Sequence, residues 1–569
     1  MTELAPAESP PDARPEGARF VDVVRMISLF LAILITSIVW ALSTPPGYSA
    51  EERQTMLAIV CGSGGATSEC PPNLEEPDEL QVSGGWGDNP CFVGEEQSAE
   101  CLLAGPNWTQ YKVTVFYNQL PTDSTPFHRV LRTFVDADPF RSLVKMRLAM
   151  ALLGSTLLAG AVLLLRDRSA NFLRVWLAVG TPVAMLQTAS VTQSGWQLIA
   201  TPSLTAAMCV LLRSESQRSR LSAIALALFS SVVMLLSGNA SVLLIVVTVS
   251  FSIFMSERRS ITSESMRDSE MPSGVNIAAS STAGYWSRFC RSPITLWLSV
   301  AVLVLVNFQQ HVWKRVLLYL PSQLDEFRVI RTIAQLPNFA IGFLGAGRWR
   351  LGYSDLTFPY LATMSSIAVI GAIMYVGGSE ARRSLRVRFA ILVVLLANAV
   401  VMAHEGKGIE IGGDPSLVSQ FLPYFVVLML MVPLFTETRF QGKTVHVVNG
   451  LIVLAVGASL WGTLRRYVTG FPETPYSEGS CLFCDLSPQL WWWNRWYEPV
   501  LGPRLTWLIA IVATIWALYL ASKLGSRFQV ADSRSARIRA VAGLVVLSLL
   551  GLRLTLPWLV ELSPARWAQ

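Results

Sequence analysis

Charge is what this chain has least of. Only 15% of its 569 residues are Asp, Glu, Lys or Arg, where soluble domains carry about 25%. So sparse a polar complement cannot clothe a soluble surface, which excludes a soluble enzyme. Histidine is scarcer still, with four residues, His128, His311, His404 and His446, so a multi-His metal centre is not expected. No phosphate-cradling P-loop or dinucleotide fingerprint occurs, and Gly345-Ala-Gly347 is a lone G-x-G that carries no weight. The net charge of +6 is spread over the edges of apolar runs instead of gathered in a patch, so no nucleic-acid partner is expected.

Apolar length is what the chain has. It is 52% hydrophobic with a mean hydropathy of +0.44, and a helix of roughly 20 apolar residues crosses the hydrocarbon core. Runs of that kind predict spans near Met26–Leu42, Leu148–Leu165, Val175–Thr192, Gln197–Leu212, Leu221–Leu236 and Val242–Met255. Others are expected near Thr295–Phe308, Tyr360–Val376, Phe389–Ala403, Phe421–Phe435, Val447–Trp461, Leu505–Leu520 and Ala540–Leu556. The fold class expected is therefore an all-α polytopic membrane protein of about thirteen helices. Membrane lipids are its first partners. The first span is long and lacks a small-residue cleavage site, so it reads as an anchor and not as a removed signal peptide.

Basic residues near span ends stay on the cytoplasmic side. Alternate connections carry Arg166, Arg168 and Arg174; Arg213, Arg218 and Arg220; and Arg258, Arg259 and Arg267. The same parity holds for Arg382, Arg383, Arg386 and Arg388, for Arg439 and Lys443, and for Lys523, Arg527, Arg534, Arg537 and Arg539. With Arg14, Arg19 and Arg25 ahead of the first span, this places the N-terminus in the cytoplasm and the C-terminus outside a plasma membrane. The chain then divides into a cytoplasmic tail (1–25), a first span with a long outward loop (26–145) and a membrane core (146–464). Within that core lie outward loops at 309–359 and 404–420, and beyond it an aromatic outward loop (465–504) and terminal spans (505–569).

Cysteine agrees with that topology. Cys61, Cys70, Cys91 and Cys101 fall in the first outward loop and Cys481 and Cys484 in the last, on the side where disulfides persist. Four cysteines allow three pairings, and the sequence does not separate them. Cys481-Leu-Phe-Cys484 has redox or half-zinc spacing, but no second pair or nearby His supports zinc, which favours a local disulfide. Cys209 and Cys290 are expected to remain free thiols.

The polar length of the chain is spent outside. The front of the first loop is acidic, and two of its carboxylates, Glu51 and Glu52, follow the first span so closely that they sit near the membrane surface. Trp491, Trp492, Trp493, Trp496 and Tyr497 form a dense aromatic cluster. Such residues mark a membrane interface, or offer a stacking surface for a sugar ring or a lipid chain. Lys314, Arg315, Arg348 and Arg350 lie outside by the same topology. They either snorkel at the interface or face an anionic leaving group. The spans hold almost no ionisable residue, which counts against an ion-coupled carrier.

Four strings carry a family likeness: Trp40-Ala-Leu-Ser-Thr-Pro-Pro-Gly-Tyr-Ser-Ala-Glu-Glu52, Ser194-Gly-Trp-Gln-Leu-Ile-Ala200, Gly352-Tyr-Ser-Asp-Leu-Thr-Phe-Pro359 and Gln420-Phe-Leu-Pro423. Their order and spacing resemble the bacterial membrane-protein family called domain of unknown function 2142, which is similar to the GT-C glycosyltransferases. The resemblance implies a polyprenyl-phosphate-linked sugar donor, a glycan or lipid acceptor of the cell envelope, and an outward active site beneath the first loop. It implies Glu51 or Glu52 as general base, Asp355 in the same cavity, and a divalent metal as a cofactor these carboxylates could hold. Lys314, Arg315, Arg348 and Arg350 would then stabilise the departing phosphate, with Trp491 and Trp492 binding substrate. Two positions depart from the family pattern: Thr55 stands near a family His, and Ser419-Gln420 replaces an Arg-Tyr. A non-catalytic relative that supports envelope assembly is therefore the alternative reading, and a lipid or glycan transporter the next.

Overall fold

The computed structural model describes residues 16–61, 79–83, 112–116, 125–136, 139–165, 168–181, 183–213, 217–237, 443–469 and 502–527, with positions 70 and 99 and short helical pieces between 245 and 252 and between 361 and 369. The elements are α1 (Glu16–Ser43), α2 (Ala50–Cys61), β1 (Glu79–Ser83), β2 (Lys112–Phe116), α3 (Pro126–Arg132) and α4 (Pro139–Leu165). They continue with α5 (Ser169–Gly180), α6 (Val183–Ala189), α7 (Gln193–Arg213), α8 (Gln217–Ser237), α9 (Lys443–Thr469) and α10 (Pro503–Arg527).

Six of these helices contain stretches long and apolar enough to cross a membrane: Val23–Ser43, Arg141–Leu165, Gln193–Leu212, Ser219–Ser237, Thr444–Val468 and Pro503–Leu524. Each overlaps an expected span and is longer than it. The expected spans at Thr295–Phe308, Phe389–Ala403, Phe421–Phe435 and Ala540–Leu556 lie outside the described residues, as do most of Val242–Met255 and Tyr360–Val376.

The third expected span, Val175–Thr192, takes a different form. It begins earlier, at Ser169, and is broken into α5 and α6. Thr181 leaves the helix with φ −91° and ψ 129°, the extended conformation forced on a residue that precedes proline, and Pro182 follows it in the sequence.

The bundle is centred on α4 and α7, each 83% buried across its apolar stretch, whereas α8 is only 28% buried. α4 packs against α1 and α7, α7 against α8, and α1 against α10. The side of α8 that faces away carries Leu221, Ile224, Leu228, Val232 and Leu235, all exposed at helical spacing. Such an apolar outer stripe suits lipid contact. Buried hydroxyls on α7 return their hydrogen bonds to the helix, Thr201 to the Gln197 carbonyl, Ser203 to Ile199 and Thr205 to Thr201. A polar side chain can therefore lie inside the bundle without an unmet donor.

Contacts between helix ends set the relative directions. The end of α1 and the start of α4 meet the turn joining α6 to α7 and the end of α9. At the opposite pole, the start of α5 meets the start of α9 and the end of α10. Consecutive crossings thus alternate up and down. In the first long loop β1 pairs antiparallel with β2, in the register Glu79↔Phe116 to Ser83↔Lys112. This short ribbon joins the front and back of the loop.

Candidate functional site

The cysteine-bearing pole is built from the exit of the first span. After α1 the sequence Pro45-Pro46-Gly47-Tyr48 turns the chain back, with Gly47 at φ 68° and the Tyr48 amide donating to the Pro45 carbonyl at 3.4 Å. Proline and then glycine at the two central positions is the pattern of a type II turn, whose third residue needs positive φ. Ser49 then starts α2, its Oγ accepting the Glu52 amide at 3.1 Å. That is the N-cap arrangement, in which a hydroxyl satisfies an N–H left over by the first turn. Ser49-Ala-Glu-Glu52 is also the S-x-x-E string of a capping box, but here the Glu52 side chain goes elsewhere.

It goes to Arg147 on α4. Both side chains are fully buried. The arginine Nε donates to Glu52 Oε1 at 2.9 Å and one Nη to Oε2 at 2.5 Å. The remaining N–H groups donate to the backbone carbonyls of Ala41 at 2.9 Å, Thr44 at 2.6 Å and Pro45 at 3.1 Å. All five N–H donors of a guanidinium are thereby used. Glu52 Oε1 accepts a further hydrogen bond from the Val191 amide at 3.0 Å. The cation also sits against the carbonyl end of α1, where the helix dipole favours positive charge.

Tyr48 closes the other side. Arg147 lies over its ring at 5.7 Å, the hydroxyl bonds to Ser190, and the ring meets Tyr467 edge-on at 6.4 Å. One buried ion pair therefore ties α1, α2, α4, the α6–α7 turn and α9 together.

A second polar group lies beside it. α3 packs against α2 and α8, burying Phe127, His128 and Leu131. The His128 Nδ1 lies 3.3 Å from both the Thr125 amide and the Thr125 hydroxyl. Nε2 faces the Gln193 side-chain amide at 3.1 Å. Burial brings the His128 pKa from 6.5 down to about 4, since desolvation penalises the charged ring. Gly195 occurs here because there is no room for a side chain. A Cβ at that position would lie 2.6 Å from the Gln187 carbonyl oxygen. The Ser194-Gly-Trp-Gln string is thus a packing motif at this pole.

Below the pair lies a small apolar cleft of about 30 Å³, lined among others by Thr36, Ser37, Met150, Trp176, Thr188 and Thr514. Met150 follows Arg147 by one helical turn on α4, and the Thr188 side of α6 leads up to Val191, so the cleft begins where the ion pair ends.

Of the residues singled out from the sequence, Glu52 is locked in this network and Glu51 occupies the first turn of α2. The Glu51 side chain lies outside the described residues, as do Asp355, Lys314, Arg315, Arg348, Arg350, Trp491, Trp492, Cys91, Cys101, Cys481 and Cys484. Cys61 pairs with Cys70, with Cα atoms 5.4 Å apart. This selects the Cys61–Cys70 pairing among the three that were open. Cys209 is a buried free thiol. Among the described residues no three His, Cys, Asp or Glu side chains gather to hold a metal ion.

Arg147 is the residue sequence reading passed over. It stands just ahead of the expected second span, among ordinary boundary arginines. The signal that could have found it is its place inside a continuous helical pattern running from Leu143 to Leu165.

These features define a class, an all-α polytopic bundle with a sealed charge pair at its disulfide-bearing pole. Compared with known proteins, the chain matches no family model, no curated protein and no solved structure.

Proposed function

We propose that the chain is a polyprenyl-phosphate-sugar-dependent glycosyltransferase of the cell envelope, of GT-C type with about thirteen spans, working at the outer face of the membrane. The observation that carries this reading is the position of Glu51 in the first turn of α2, directly after the membrane-crossing stretch of α1. A lipid-linked substrate would present its phosphate at that level.

In this reading Glu52 holds the pole together and Glu51, its neighbour on the first turn of α2, is the base. Glu51 takes the acceptor hydroxyl proton while the acceptor oxygen attacks the anomeric carbon, and the sugar–phosphate bond breaks with its electron pair on the polyprenyl phosphate. Lys314, Arg315, Arg348 and Arg350 stabilise that leaving charge. Asp355 shapes the same cavity, where a divalent metal could also bind, and Trp491 and Trp492 stack on substrate.

One observation favours a second reading. Both Glu52 oxygens are engaged by Arg147, so one carboxylate of the acidic pair is closed to substrate. This suits a non-catalytic relative that assists envelope assembly.

The test is sugar transfer by the purified chain from a panel of polyprenyl-phosphate donors, with Glu51→Gln and Asp355→Asn compared with wild type. Loss of a general base lowers rate by roughly a hundredfold to ten-thousandfold, so Glu51→Gln should fall by that much with its melting temperature unchanged. Wild-type turnover with Glu51→Gln at the wild-type rate overturns the assignment. No turnover with any donor supports the non-catalytic reading.

A further inference from the structure

α3 is a short amphipathic helix laid across the disulfide-bearing pole. Its inner face, Phe127, His128 and Leu131, is buried against α2 and α8. Its outer face carries Arg129 and Arg132, both exposed, together with Val130, which is 42% exposed. Residues three apart on a helix are neighbours on one face, so the two guanidinium groups arise side by side.

The basic groups nearby are in a different state. Arg147 is consumed by Glu52 and the α1 carbonyls, and Lys145 is paired with Asp136 at 2.9 Å. Among the described residues Arg129 and Arg132 have no side-chain partner. Among the described residues no carboxylate neutralises this pair.

Their depth says what they would meet. The outer stripe of α8, from Leu221 to Leu235, is exposed and apolar, and α3 packs against that helix at the pole where Gln193, bonded to Thr125, starts α7. The stripe marks hydrocarbon, so α3 lies where the hydrocarbon ends and phosphate groups begin. The exposed, apolar Val130 lies to one side of the two arginines on the helix and fits that boundary, with its side chain dipping toward acyl chains while the guanidinium groups reach phosphate.

We propose that Arg129 and Arg132 form a binding site for the phosphodiester head group of an anionic lipid in the leaflet at this pole. Arginine suits the role because its planar fork donates two parallel hydrogen bonds to phosphate oxygens. The site is separate from sugar transfer and requires no catalysis. It would fix the lipid beside α2 and hold α3 flat on the membrane surface.

The experiment is a lipid titration of the full chain in detergent micelles, followed by native mass spectrometry, with phosphatidylglycerol against phosphatidylcholine. Wild type should bind phosphatidylglycerol in preference, and the preference should weaken as salt is raised. Arg129→Gln/Arg132→Gln should lose roughly fivefold in affinity for each arginine removed, and Arg129→Lys/Arg132→Lys should recover part of it. Both positions are exposed, so melting temperature should not move, and the lysine pair and salt series still decide the matter if the glutamine pair is poorly folded. Equal binding of the two lipids, a glutamine pair that binds as wild type, or a salt-independent preference overturns the proposal. So does displacement of the lipid by inorganic phosphate at matched concentration, which would make this a site for free phosphate.

Discussion

Arg147 and Arg174 are both buried at opposite poles of the same bundle, and different chemistry holds them. Arg147 faces a carboxylate and three main-chain carbonyls. Arg174 donates to the Asn449 side chain at 2.8 Å, to Asn171 at 2.7 Å and to Ser522 at 3.2 Å, while Ser169 bonds the Ala521 carbonyl at 2.9 Å. Each arginine staples three or more segments that are distant in sequence. The first does so with a full ion pair, the second, among the described residues, through amide and hydroxyl groups. The lesson is about consequence. Removing either member of a buried pair strands a charge, whereas removing a cation from neutral acceptors leaves only ordinary polar groups unmet.

Arg147→Ala is therefore the change that should cost most. Breaking a buried pair from one side costs about 3–5 kcal/mol, whereas Arg174→Ala should cost about 1–3 kcal/mol for the acceptors it abandons. Denaturant unfolding of the full chain in micelles measures both. The pair Glu52→Leu/Arg147→Met should regain much of what Arg147→Ala loses, since apolar groups of like volume often replace a buried ion pair without penalty. Equal losses at Arg147 and Arg174 would erase the distinction between the poles.

The covalent tie at the Arg147 pole comes next. Cys61 and Cys70 are nine residues apart, and closing so small a loop is worth about 2–3 kcal/mol by chain entropy. Cys61→Ser should lower stability by that amount. On unreduced wild type, Cys61 and Cys70 should resist alkylation after denaturation while Cys209 reacts. Reactive thiols at 61 and 70 in protein kept under oxidising conditions would show the bridge absent.

The smallest effect is the pH response of His128. Its pKa is held near 4 in the fold, against 6.5 when unperturbed, so the unfolded chain binds the proton first. Stability contributed at this site is complete above about 6.5 and declines as pH falls from there toward 4. Melting temperature followed between those limits should fall more steeply for wild type than for His128→Gln. Parallel profiles would mean that the ring titrates normally.

Much of the bundle was legible because the hydrocarbon thickness imposes a length on apolar runs. The expected spans at Met26–Leu42, Gln197–Leu212, Leu221–Leu236 and Leu505–Leu520 all fall inside observed helices. Edges were read short, as at α4, which starts at Pro139 well before Leu148. Hydropathy treats Arg141, Lys145 and Arg147 as boundary residues, because it prices a charge as though it faced lipid. A partner across the bundle changes that price, and no single helix contains the partner. The break at Thr181 was legible in principle from the proline that follows it. It was missed because the flanking residues are apolar enough to read as one span.

The site divides in the same way. The place of Glu51 and Glu52 a few residues beyond a membrane-length helix followed from the sequence. Where Glu52 turns its carboxylate depends on Arg147, brought in from 95 residues away, and the Cys61–Cys70 pairing depends on how the chain folds back after α2. Sequence alone settled what is set by local pattern and solvent: helices of membrane length. Only tertiary structure decided that Arg147 would meet Glu52. A charge enters an apolar interior when specific polar partners are already waiting there, and that is a property of the assembled fold.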